Sequence, residues 1–142
     1  MLGMLVVTHG RLAEDLVQAA QTIVGPVEGL AAVSIGWNDE VDKASRAIEE
    51  AIALVDRGQG VLVLTDMFGG TPTNLGLALH ERGKIEIVTG VNLPMLIKFA
   101  NLREEMSLQD AAARIAEQGR EAIHVASHVL DATYRGPDRD PR

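Results

Sequence analysis

The chain has 142 residues, the size of one domain with a single core and too short for two. Its 46% apolar and 23% charged residues exclude a disordered chain, and the absence of cysteine excludes a disulfide scaffold, a Cys-based metal site and thiol catalysis. A net charge of -7 without a basic cluster argues against nucleic acid or an anionic membrane surface as a partner. No apolar run approaches the ~20 residues of a membrane span. The N-terminal run Met1 to Val7 lacks a basic leader and ends at Thr8-His9, so it reads as a strand and not as a signal peptide. A soluble, cytoplasmic protein without membrane insertion is expected.

Short aliphatic runs alternate with longer amphipathic ones. Leu2 to Thr8 is a buried strand. Leu12, Leu16, Ala20 and Ile23 repeat at helical spacing, and Gly25-Pro26 stops that helix. Leu30 to Ile35 is a second strand. Val41, Ala44, Ile48, Ile52 and Val55 form the stripe of a second helix, which Gly58 ends. Gly60 to Leu64 is continuously apolar, as in a strand covered on both faces. Pro72-Thr73-Asn74 opens a third helix with Leu75, Ala78 and Leu79 facing in, and Lys84 to Thr89 is a fourth strand. Pro94 suits the first position of a short helix with Asn92 or Leu93 just outside it. Ser107 and Asp110 resemble a capping box ahead of a helix that uses Leu108, Ala111, Ala112 and Ile115. Ala122 to Val125 is a candidate fifth strand. Residues 1–130 form the expected domain, and 131–142 a polar, frayed tail.

The βαβαβαβ pattern implies a doubly wound, mainly parallel α/β sheet with helices on both faces. Ligands of such sheets bind beyond the carboxyl ends of the strands. Three polar clusters fall there: Thr8-His9-Gly10, Thr65 to Asn74, and Gly90 to Pro94. They meet in one pocket if strands one, three and four are neighbours. His9 is the most reactive group among them, because a neutral imidazole is a good nucleophile near pH 7. A carboxylate on Nδ1–H would leave Nε2 to attack, and Asp66 is placed to supply it. Gly69 and Gly70 let backbone N–H groups turn inward before a helix start, which suits a phosphoryl group, and the Thr71 hydroxyl adds a donor.

Plainer uses exist for each. Asp66 can cap a turn, Gly69-Gly70 can be a tight turn, and Asn92 can be a helix-start signal. His124 and His128 lack a surrounding ligand cluster, so no metal site is expected there. Shared location raises the reactive reading. Two other classes compete with it. One is a receiver-like signalling module phosphorylated on Asp66 itself, which lacks paired acidic residues after strand one. The other is a nucleotide or flavin module, which lacks a G-x-G-x-x-G turn.

Val7-Thr8-His9-Gly10, Thr65 to Asn74 and Thr89 to Leu96, with a weaker match at Glu117 to Glu121, resemble the mannose-type IIA domain of the bacterial phosphoenolpyruvate:sugar phosphotransferase system, the mannose/fructose/sorbose IIA family. The resemblance covers roughly residues 1 to 130. It implies a phosphotransferase that takes a phosphoryl group on His9 Nε2 from phospho-HPr and passes it to a histidine of a IIB domain. Asp66 would orient the imidazole, and Thr71 would stand near the phosphate, with Thr8, Gly10 and Asn92 in the pocket. No metal or organic cofactor is implied. The resemblance further implies a homodimer that exchanges its last strand, here Ala122 to Val125. Phe68 stands where Trp is common in the family. No linker and IIB domain follow, so the expected acceptor is a separate polypeptide or a regulatory target.

Overall fold

A computed structural model describes residues 1–67, 71–80, 83–102 and 106–134. Strands β1 (Gly3–His9), β2 (Leu30–Ile35), β3 (Val61–Thr65) and β4 (Ile85–Thr89) form one sheet in the order β2-β1-β3-β4. Every pairing is parallel, with Val7 opposite both Val33 and Thr65, and Thr65 opposite Thr89. The four strands lie within a residue or two of the positions read from their apolar runs.

Alternation along the central strands separates two cores. Leu2, Met4, Val6, Leu62 and Leu64 point to one face. There they meet α1 (Leu12–Val24), α4 (Leu93–Leu102) and α5 (Leu108–Glu121) through Ala20, Phe99 and Ile115. Leu5, Val7, Val61 and Val63 point to the other face, against α2 (Val41–Val55) and α3 (Thr71–Ala78). Two-sided burial is why β1 and β3 read as unbroken apolar runs. At Gly3 the sheet and α2 come so close that a Cβ would stand 2.3 Å from the Val55 carbonyl oxygen.

The ends of the helices largely follow local chemistry. Gly25 adopts φ 87 and its N–H bonds the Gln21 carbonyl, ending α1. The Ser107 hydroxyl accepts the Asp110 N–H at 3.1 Å, the forward half of the expected capping box. The inward stripes differ in detail. Leu12 and Ile23 of α1 and Val41 of α2 are exposed, each within two residues of a helix end. In α3, Gly76 is buried and Ala78 is exposed, because the Gly76 position lies against Ile87 and Val63.

The chain beyond α5 departs from expectation. Ala122 and Ile123 continue the end of α5, their N–H groups bonding the Gln118 and Arg120 carbonyls. Residues 123–125 pair with no strand among the described residues, and α6 (Ala126–Tyr134) follows. The fifth strand expected at Ala122 to Val125 is therefore not formed within the described chain, because all sheet pairings run among β1 to β4. The segment from Asp131 to Tyr134, expected as the start of the tail, is helical. Among the described residues no helix is long and apolar enough to cross a membrane.

Candidate functional site

The order β2-β1-β3-β4 places a topological switch between β1 and β3, where successive connections leave for opposite faces. The chain leaves β1 into α1 on one face and leaves β3 towards α3 on the other. His9, the last residue of β1, and Asp66, the first after β3, sit at that crevice.

One carboxylate oxygen joins them twice. Asp66 Oδ2 accepts the His9 backbone N–H at 3.0 Å and lies 2.8 Å from His9 Nδ1. Asp66 Oδ1 accepts the Met67 N–H at 3.0 Å. An ionised carboxylate can only accept, so Nδ1 carries a proton, and in the neutral imidazole the lone pair is on Nε2. Burial by itself raises the Asp66 carboxyl, but the His9 N–H, the His9 ring and its charge, and the Met67 N–H outweigh it and hold the group below its ordinary value. The carboxylate is therefore ionised throughout the neutral range. Side-chain exposures of 17% for His9 and 16% for Asp66 leave the pair shielded yet reachable.

The neighbours divide into scaffold and surface. Thr8 is fully buried, and its hydroxyl accepts the Ala13 N–H at 2.6 Å, serving as a cap for α1 that Arg11 does not provide. Gly10 takes φ 57 to turn the chain from β1 into α1, and its N–H bonds the Ile35 carbonyl at 2.8 Å. Thr71 is exposed at the start of α3. Gly69, Gly70 and Phe68 lie outside the described residues. Asn92 is tied up elsewhere: Nδ2 donates to the Gly119 carbonyl at 3.0 Å and Oδ1 accepts the Met95 N–H at 3.3 Å. Its visible contacts are those of a helix start, the plainer of its two sequence readings. The loop after β4 does adjoin β3, through the Val91 N–H and the Thr65 carbonyl at 2.9 Å.

Two features escaped the sequence reading. The Thr73 hydroxyl donates to the Met67 carbonyl at 2.6 Å and accepts from Thr65 at 2.7 Å, closing the β3–α3 connection from below. Trp37, beyond β2, stacks on the His9 ring with centroids 4.8 Å apart and planes at 15°. Its sequence signal was a single tryptophan placed just after a strand's carboxyl end, in a Gly-Trp-Asn-Asp turn. Among the described residues no group of three or more His, Cys, Asp or Glu is placed to hold a metal ion. The arrangement offers one nucleophilic nitrogen, oriented by a carboxylate, near the N-terminal ends of α1 and α3.

The sequence profile of the family described as PTS system fructose IIA component matches residues 3–116. The PTS system mannose-specific EIIAB component of Escherichia coli (strain K12) is 33% identical over 123 residues, covering 82% of this chain but only 36% of the relative. The crystal structure of phosphotransferase system component EIIA from Streptococcus agalactiae superposes with a TM-score of 0.81 at 24% identity, over 89% of this chain and 98% of that one. The mannose/sorbose specific IIA subunit from Enterococcus faecalis gives 0.73 at 31% identity, over 87% and 92% of the two chains.

Proposed function

Because the chain belongs to the fructose/mannose-type IIA family of the phosphotransferase system, whose members carry phosphoryl groups through a phosphohistidine, we propose that His9 is the residue phosphorylated here and that Asp66 orients it. The observation that carries this reading is the 2.8 Å contact between His9 Nδ1 and Asp66 Oδ2 at the switch point of the sheet. It leaves Nε2 as the attacking atom. A P–N bond forms at Nε2 while the P–N bond of the donor phosphohistidine breaks, and the departing imidazole keeps the electron pair. His9 need not lose a proton, because the one on Nδ1 stays with Asp66.

Imidazole is both nucleophile and leaving group, so transfer between two histidines is nearly isoenergetic. The protein's task is positioning and charge stabilisation. The N-terminal ends of α1 and α3 favour the phosphoryl charge, and Gly69, Gly70 and Thr71 are the proposed contacts. IIA domains of this system work with HPr and IIB partners. The proposed donor here is phospho-HPr, and the proposed acceptor is a histidine of a IIB domain or a regulatory target. The net charge of -7 suits a basic docking face on the donor, so association slows as salt rises. The E. coli relative is mannose-specific by name.

A homodimer formed by exchange of the segment around Ala122 to Val125 completes the reading. Among the described residues the outer edge of β4 has no strand partner. A groove of about 440 Å³ along it is lined by Ile87, Thr89, Met95 and Ile123. Ile123 and Val125 are 77% and 58% exposed, apolar surface that a second copy would cover. A monomer by light scattering at micromolar concentration would remove this part.

The carrier reading is tested by mixing the protein with phosphoenolpyruvate, enzyme I and HPr and following intact mass. Wild type gains one acid-labile phosphoryl group, and His9→Ala gains none. An adduct that survives in His9→Ala and yields to hydroxylamine would instead mark Asp66 as the acceptor. No adduct from a demonstrably active HPr would overturn both.

A further inference from the structure

Trp37 is 79% exposed, yet its indole lies flat on the imidazole of His9. The ring is held there by a built turn. Asp39 Oδ2 accepts the Gly36 N–H at 2.7 Å, and the Asp39 N–H donates to the Gly36 carbonyl at 3.3 Å. The β1 side is fastened to the same place, through the Gly10 N–H and the Ile35 carbonyl at 2.8 Å. A Cβ on Gly10 would reach to 3.9 Å from Trp37 Nε1, so the indole rests over the turn that follows His9.

Asp66 fixes one point of the imidazole, and a point leaves the ring free to tilt about it. A stacked ring, its centroid 4.8 Å away and its plane within 15°, restrains the imidazole plane. The Nε2 lone pair lies in that plane, so the two contacts together set the direction of attack. The stack also acts on the product. An imidazole phosphorylated on Nε2 and protonated on Nδ1 carries positive charge in its ring, which an indole face attracts. We infer that Trp37 is a positioning residue for phosphoryl transfer, holding the His9 ring plane and stabilising the phosphorylated ring. This rests on His9 being the phosphorylated residue.

The transfer is the one written above: the P–N bond to Nε2 forms as the donor's P–N bond breaks, and the indole takes no part in bonding. A residue that only helps the donor dock cannot change the equilibrium between the free, separated proteins. A residue that stabilises the phosphorylated ring must change it. The test is the equilibrium distribution of phosphoryl groups between HPr and the dilute protein, read by intact mass, together with the single-turnover rate at saturating phospho-HPr. Trp37→Ala should shift the equilibrium about two- to fivefold towards phospho-HPr, the scale of an exposed cation–aromatic contact, and lower the saturated rate. Trp37→Phe should recover most of both. As the single tryptophan, Trp37 should also change its fluorescence on phosphorylation of wild type. An unchanged equilibrium and saturated rate in Trp37→Ala, with only the half-saturating HPr concentration raised, would make Trp37 a docking contact and overturn the inference. Failure of wild type itself to take up phosphate would sink the His9 reading, a result visible before any Trp37 variant is compared.

Discussion

The ends of β1 and β4 present the same kind of sequence, a polar residue between a strand and a helix start, and the structure uses them oppositely. At β4, Asn92 spends its side chain on scaffold, one atom on the Gly119 carbonyl and the other on the Met95 N–H. At β1, the scaffold task falls to Thr8, which caps α1, and this leaves the next residue for chemistry. His9 spends Nδ1 on Asp66 and retains Nε2. A polar group at a strand end is a reactive candidate to the extent that the fold leaves one of its valences unused.

Substitutions can break that contrast or sharpen it. The largest effect belongs to His9→Ala, which removes the only nitrogen offered and should abolish phosphoryl uptake while leaving the melting temperature close to wild type. Asp66→Asn comes next. An amide can turn its NH2 towards Nδ1, favouring the wrong tautomer and misaiming the ring, so single-turnover transfer should fall by about 10²-fold. A rate within twofold of wild type would mean that Asp66 is only a turn residue.

Asn92→Ala tests the other side. Loss of its cap and of its bond to Gly119 should cost about 1–2 kcal/mol in denaturant unfolding. Transfer per folded molecule should stay within about twofold. A rate loss far larger than that would bring Asn92 back into the pocket.

The smallest effect concerns acid. The folded-state Asp66 carboxyl titrates below its unfolded value, so its stabilising contribution is complete above the ordinary aspartate range and is lost as pH falls through the lowered folded value. Asp66→Asn should therefore show a shallower loss of stability than wild type below about pH 4. Equal acid limbs in urea titrations would refute that linkage.

The two regions also differ in how openly the sequence displayed them. β1 and β3 were legible because burial on both faces leaves them apolar up to their carboxyl ends, and α1, α2 and α5 because each keeps a stripe against the sheet. His9 and Asp66 were legible as neighbours because parallel strands bring their carboxyl ends together once β1 and β3 are known to adjoin. α6 was not, since residues 126–131, from its start to Asp131, are all exposed and show no buried stripe to read. The apolar, β-branched run at Ile123 to Val125 reads as a strand, but pairing needs a neighbour that this chain alone does not place there. Trp37 was missed because its contact joins loops of two different strands, and periodicity reports only which face a residue shares with its own element.

The double attachment of Asp66 Oδ2 has a dynamic consequence. One of its two bonds goes to the His9 main chain and not to the ring. If His9 carries the phosphoryl group as proposed, that bond would keep the carboxylate anchored through both halves of the reaction cycle, with no need to search for the imidazole afresh each time. Ordering of the pair is accomplished once, during folding. What would remain at each turnover is a small relaxation within an existing clasp, which would keep the reorganisation energy of the site low in either direction of transfer.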